Sequence, residues 1–280
     1  AHFLGNQPQA CSIEACYAPD GDWENAPWFE VLPRTTLNPG SQHFVEAQLS
    51  VVGSSVAPSS AREPVRPTNQ QPSHQQLFTH VKLHIYPDGG VARLRVYGEV
   101  QRDWSQATVG ATHASPVLVD LAGAQNGALA IQCNDMFFSH MNNLIMPGRG
   151  VNMGDGWETK RNRTPNNRDW VIVRLAHKGI IQKALIDTCH FKGNYPDTFI
   201  LEGTSIGAPV PSTNGVDPQA ESEALKNAQW TTIIERTKLQ ADHEHHYEQE
   251  VTCKAPVTHV RLSIFPDGGV SRMRLWGTIA

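Results

Sequence analysis

The strongest constraint on this chain is that it contains itself twice. Residues 79–100, THVKLHIYPDGGVARLRVYGEV, align without a gap to residues 258–279, THVRLSIFPDGGVSRMRLWGTI, and 13 of the 22 positions are identical. A second pair sets His2-Phe3-Leu4-Gly5-Asn6-Gln7-Pro8 against His190-Phe191-Lys192-Gly193-Asn194-Tyr195-Pro196. A third sets Trp28 through Leu37 against Trp230 through Leu239. The order is the same in both copies. The chain is therefore a tandem duplication whose copies differ mainly in loop length, and a single fold has to suit both.

The repeat reads as β structure. In Val81-Lys82-Leu83-His84-Ile85-Tyr86 apolar residues alternate with others, Pro87-Asp88-Gly89-Gly90 supplies turn chemistry, and Val91 to Gly98 resumes as a strand. This pattern predicts a hairpin in each copy. Arg93 and Arg95, like Arg272 and Arg274, share the strand face opposite Ala92, Leu94 and Val96. That face is expected to be solvated or salt-bridged between domains, with a substrate-binding face as the alternative. Further strands are expected at Trp170–Leu175, Ile180–Ile186, Thr198–Leu201 and Thr231–Ile234. With 22 Gly, 19 Pro and 18% charged residues, the chain favours all-β architecture over a helical bundle. Many short strands at this spacing suggest antiparallel β-sandwiches of the jelly-roll kind, with helix confined to a turn within residues 208–227.

The domain expectation is a first repeat at 1–100, a linker at 101–117 and a second, complete repeat at 118–280. Residues 47–78, rich in Ser, Gln and Pro, are an insertion expected to be a mobile loop. Residues 118–189 precede His190, whereas one residue precedes His2. The opening strands of the first copy are thus expected to lie upstream of residue 1, and targeting signals are not readable from this N-terminus.

The net charge of −4, without a basic block, argues against nucleic acid and anionic membranes as partners. No apolar run approaches the length of a membrane-spanning helix. Cys11, Cys16, Cys133, Cys189 and Cys253 are odd in number and lack Cys-x-x-Cys spacing, which argues against a disulfide framework or a zinc knuckle and for a reducing, intracellular setting.

Two segments carry the chemistry. Residues 142–169, NNLIMPGRGVNMGDGWETKRNRTPNNRD, interleave four glycines with Arg149, Asp155, Glu158, Arg161 and Arg163. Glycines let a backbone approach a ligand, arginines fork onto carboxylates, and paired carboxylates move protons. A hydrogen-bonded surface loop is the alternative. No phosphate-binding signature is present, so nucleotide binding is not expected. The second segment, Asp187 to Pro196, follows an apolar strand; Asp187 and His190 can form an acid/base pair and Asn194 can orient a carbonyl, with a structural histidine as the alternative. His243-Glu244-His245-His246 offers metal-ligand types, but neighbours on an extended segment point apart, and a surface cluster is the simpler expectation. The same alternation is expected to separate Cys189 from His190, against a cysteine nucleophile.

These motifs resemble the allantoicase family. The family's pattern has Asp-Gly-Trp-Glu-Thr-x-Arg, matched at 155–161, and Asp-Thr-x-His-Phe-x-Gly-Asn, matched at 187–194, with Pro-Asp-Gly-Gly-Val-x-Arg-x-Arg in both copies. The first-copy Asp-Gly-Trp-Glu-Thr block is absent and the 47–78 insertion departs from the pattern. The resemblance implies two tandem jelly-roll, galactose-binding-like β-sandwiches, the first incomplete at its N-terminus. It implies a hydrolase acting on C–N bonds of a linear amidine, converting allantoate to ureidoglycolate and urea in purine catabolism. Under it, Asp155, Glu158 and His190 are the catalytic candidates, and Arg149, Arg161 and Asn194 bind substrate. A divalent metal, self-association into a homo-oligomer, and a cytoplasmic or peroxisomal location stay open. The competing readings are a non-catalytic carbohydrate-binding module of the same fold and a structural or regulatory subunit.

Overall fold

A computed structural model describes residues 3–46, 77–105, 117–207, 211–212 and 215–280. Nearly all of the 47–78 insertion and residues 106–116 of the expected linker lie outside the described residues. Two compact units divide the chain, Ala1–Tyr97 and Gly98–Ala280.

In the first unit, β1 (Ala10–Cys16) lies between β2 (Trp28–Thr36) and β3 (His80–Tyr86), antiparallel to both. The second unit begins with β4 (Val119–Asp120), β5 (Leu129–Cys133) and β6 (Trp157–Glu158). Then follow β7 (Asp169–Asp187), β8 (Thr198–Thr204), β9 (Pro211–Ser212), β10 (Gly215–Val216) and helix α1 (Pro218–Lys226). The chain closes with β11 (Thr231–Lys238), β12 (Glu244–Tyr247), β13 (Val257–Phe265), β14 (Gly269–Val270) and β15 (Arg272–Ile279). Asp217 caps α1 by accepting from the Gln219 and Ala220 amides, and Pro218 occupies its first turn, so the expected helical turn is a nine-residue helix.

Strand β7 builds the sandwich. Its first half pairs with β13 and β5, its second half with β15 and β12, and Gly179 pairs with both Val257 and Ile279. The ladder continues from β13 through β8 to β11 on one side and from β15 to β4 on the other. The strand therefore crosses from one sheet to the other near Gly179, and both of its ends reach the same edge of the sandwich. Apolar residues at alternate positions, among them Val171, Val173, Ile186, Leu201, Val260, Leu262, Ile264, Met273 and Leu275, form one buried core. Burial of each such side chain contributes about 1.5–3 kcal/mol.

The expected hairpins are not formed. In the second unit β13 and β15 are joined by a short turn but pair with opposite halves of β7, so the connection arches between sheets. The turn spends its hydrogen bonds elsewhere: the Gly269 amide donates to the Asn194 carbonyl, and the Gly268 carbonyl accepts from Thr159. In the first copy residues 91–100 are exposed and form no strand.

The repeat is nonetheless visible in three strands. The first unit's order β2-β1-β3 matches the second unit's β11-β8-β13, with Tyr86 opposite Ala10 as Phe265 is opposite Thr198.

Candidate functional site

The pairing of β7 brings four connections to one edge of the second unit: residues 134–168, 188–197, 239–243 and 266–271. The Gly-rich segment is held there from beneath by two buried arginines. Arg272, 3% exposed, donates from Nε to the Gly148 carbonyl (3.1 Å), from Nη1 to the Asp155 carbonyl (2.5 Å) and from Nη2 to Asp155 Oδ2 (3.1 Å). Arg274, 9% exposed, donates to the Met146 and Gly148 carbonyls and pairs with Asp120 at 3.6 Å. These arginines are neither solvated nor salt-bridged between domains, as the sequence suggested; each compensates its desolvation with carbonyls of one loop. Arg93 and Arg95 are exposed in the first unit.

Each expected site residue has a defined place. Asp155 Oδ2 accepts from Arg272 and from the Val151 amide (3.1 Å), so this carboxylate fastens the loop. Arg149 reaches Glu244 at 3.0 Å and Asp187 at 3.8 Å while its side chain stays exposed. Asp187 is 1% exposed, and burial pushes its carboxyl above the usual range despite the nearby Arg149. Its Oδ1 accepts from the Cys189 amide at 2.8 Å, so the anticipated Asp187–His190 pair is not what this carboxylate makes. His190 Nε2 instead donates to the Gly150 carbonyl at 2.9 Å, and the His190 amide donates to Asp242 Oδ1 at 2.7 Å. Asn194 Nδ2 donates to Glu158 Oε1 at 2.5 Å.

Glu158 also belongs to β6, where it pairs with Gly269 of β14. Trp157 beside it is fully buried and donates from its indole to the Asp135 carbonyl at 2.9 Å, which anchors the segment. Downstream, Arg161 and Arg163 line a cavity of about 410 Å³ together with Asn194, Tyr195, Asp197 and Asp267. Arg161 and Asn194 thus line one cavity, and Glu158 is tied to its wall through the bond from Asn194. Arg149, Asp155 and His190 lie on the adjoining loop and turn.

The His243–His246 segment divides. His245 is buried, bonded from Nδ1 to the Ile186 carbonyl and from Nε2 to the Gln240 amide at 2.8 Å, so both ring nitrogens are used structurally. The first unit repeats this arrangement, with His43 Nε2 accepting from the Asn38 amide at 2.9 Å. Sequence reasoning missed Asp242, whose carboxylate is held below the usual range chiefly by the His190 amide. Extending the third repeat past Leu37 and Leu239 aligns His43 with His245 and Gly40 with Asp242, and would have exposed both facts.

Known proteins resemble this chain over nearly its whole length. A family model described as the allantoicase repeat matches residues 1–101 and 119–280. The chain belongs to the allantoicase family. A probable allantoicase of Ralstonia nicotianae is 44% identical over 280 residues, which is all of this chain and 71% of the relative. Another from Pseudomonas syringae pv. tomato is 42% identical over 99% of this chain and 72% of its own length. The crystal structure of allantoicase from Saccharomyces cerevisiae superposes with a TM-score of 0.68 at 32% identity, covering 99% of this chain and 70% of that one. Both allantoicase repeats fall on the duplicated strands described above. Among the described residues, no helix is long and apolar enough to cross a membrane.

Proposed function

We propose that this chain hydrolyses allantoate to ureidoglycolate and urea, with the reaction centred on the cavity that Arg161 and Asn194 line. The observation that carries the reading is that Asn194, which lines the cavity beside Arg161, also holds the Glu158 carboxylate at 2.5 Å, in a chain of this family. Allantoate carries one carboxylate and two ureido groups on a single carbon. The reaction breaks one carbon–nitrogen bond, delivers hydroxide from water to the carbon and a proton to the departing urea nitrogen.

Arg161 supplies a forked donor for the substrate carboxylate, with Arg163 beside it. The Asn194 amide N–H is committed to Glu158, which leaves its Oδ1 to accept from a ureido N–H. Glu158 moves the proton to the leaving nitrogen. His190, oriented by the Gly150 carbonyl, positions the attacking water through Nδ1. Arg149 and Asp155 shape the loop that carries Gly150. A cytoplasmic setting suits this purine-salvage reaction.

The test is urea release from allantoate. Glu158→Gln is expected to lower kcat by about 10²–10⁴-fold, and Arg161→Ala to act mainly through KM. Full activity in both Glu158→Gln and His190→Ala sinks the site. Glycan binding without ureide turnover in the parent protein would favour the carbohydrate-binding alternative.

A further inference from the structure

Sequence alternation predicts that Cys189 and His190 point apart, but β7 ends at Asp187 and His190 adopts a left-handed backbone, φ 72°. The two side chains turn toward Asp242, and ligand atoms of Cys189, His190 and Asp242 lie within 4.8 Å of one another. This is the one such group of three among the described residues.

Two further observations bear on what the group does. The first concerns the imidazole. Its Nε2 faces the Gly150 carbonyl, an acceptor only, so Nε2 carries the proton and Nδ1 carries the lone pair. Metal-ligating histidines are held in this way, the second ring nitrogen donating to a backbone carbonyl or carboxylate. The second concerns Asp242. Its φ is 51°, and its amide donates to the Phe191 carbonyl at 3.1 Å. In the first unit the matching residue is Gly40, φ 59°, whose amide donates to the Phe3 carbonyl at 2.9 Å. The scaffold accommodates glycine at this left-handed position; the second copy places a carboxylate there instead, beside a histidine in the same unfavourable region.

We infer that Cys189 Sγ, His190 Nδ1 and Asp242 form a binding site for one divalent transition metal of the zinc class. Sulfur, imidazole and carboxylate are the donors such ions take, and three protein ligands leave a position open to solvent. Metal–donor bonds of about 2.0–2.3 Å require the donors to draw together, which the turn allows because the Asp242 side chain is 39% exposed. Lys192, 3.8 Å from Asp242 Oδ2, is the cation the metal would displace from that carboxylate. The inference stands apart from the hydrolytic reading, since binding is measured without substrate. With an ion bound, His190 Nδ1 is a ligand, so the water-positioning role given to it above belongs to the metal-free chain.

The experiment uses the reduced full chain, stripped with a chelator and titrated with Co²⁺ alone. Expected are saturation at one ion per chain, a thiolate-to-cobalt charge-transfer band, and its loss on adding Zn²⁺. Cys189→Ser is expected to abolish the band. Asp242→Gly, which installs the residue that the first copy carries on the same backbone and so preserves the fold, is expected to weaken binding by about tenfold or more. No band at saturating Co²⁺, a band unchanged in Cys189→Ser, or unchanged affinity in Asp242→Gly would each overturn the site. Urea release by the same stripped protein is recorded separately and tests the hydrolytic reading alone.

Discussion

The sheet β2-β1-β3 in the first unit and β11-β8-β13 in the second repeat one another down to their ring contacts. Lys82 lies over Trp28 at 3.9 Å as Arg261 lies over Trp230 at 4.4 Å, and Arg34 over Tyr86 at 4.3 Å as Arg236 over Phe265 at 4.1 Å. Thr79 bonds His80 Nδ1 at 2.9 Å, and Thr258 bonds His259 Nδ1 at the same distance. Even the pairing of the His-Phe and Pro-Asp-Gly-Gly motifs recurs, since Gly90 donates to the Asn6 carbonyl at 2.7 Å and Gly269 to the Asn194 carbonyl at 2.8 Å. What differs on this common frame is Asp242 in place of Gly40 and α1 over His259. The comparison teaches that the strand frame and its ring contacts repeat while single positions on the same backbone, such as Gly40 and Asp242, diverge.

The largest effect should come from the glycine turn. A Cβ at Gly269 would overlap the ring of Phe191, which is fully buried, and one at Gly90 would overlap Phe3, which is only half-buried. Gly269→Ala is therefore expected to cost about 3 kcal/mol, the upper range of overpacking, and Gly90→Ala about 1 kcal/mol because Phe3 can give way. Urea unfolding of the two variants checks this. Equal losses would show that the second turn is no more tightly locked than the first.

A middle-sized difference lies at the two aligned histidines. His80 packs near Trp23, whereas His259, 1% exposed, bonds Glu221 of α1 at 3.0 Å, and Arg174 reaches the same carboxylate at 3.3 Å. Burial raises the Glu221 carboxyl, but the His259 bond and Arg174 outweigh it and hold the group below its ordinary value. A depressed carboxyl contributes stability that is fully present above its unfolded pKa and is lost as pH falls through the folded one. Glu221→Gln is expected to cost about 2 kcal/mol at neutral pH. The gap between parent and variant should stay constant down to about pH 4.3 and narrow below it. A gap that grows on acidification would contradict the assignment.

The sequence made much of this legible. The repeat alignment located the strands and the two motifs that meet at the glycine turn, because paired motifs must keep both partners. Alternation located the core of β7 but not its passage between sheets, since buried positions keep period two through Gly179 to Ile181 and shift phase only at Ala184 and Ile186. The hairpins misled for the same reason: two strands joined by a tight turn look alike whether they pair with each other or with the two halves of a third. Period two also separated Cys189 from His190, which holds only while the backbone stays extended. The roles of Arg272 and Arg274 were hidden because most of their bonds go to backbone carbonyls of the Gly-rich loop, which no residue type in the sequence announces.

The smallest effect tests the exchange of Gly40 for Asp242 as backbone alone. Both positions are left-handed, where an ordinary side chain costs about 1–2 kcal/mol. Replacing glycine also restricts the unfolded chain, returning about 0.4–1 kcal/mol. Gly40→Ala should therefore destabilise by about 0.5–1 kcal/mol. Asp242→Gly relieves strain but loses the bond from the His190 amide and frees the unfolded chain, so its stability should barely change. Thermal unfolding of both variants, without added metal, reads this balance. If Asp242→Gly proves markedly less stable than the parent, the carboxylate is there to cap the His190 turn, and its presence needs no ligand. A near-neutral outcome leaves the second copy with a residue that its backbone gains nothing from, which is the condition under which a binding role is the remaining physical reason for it.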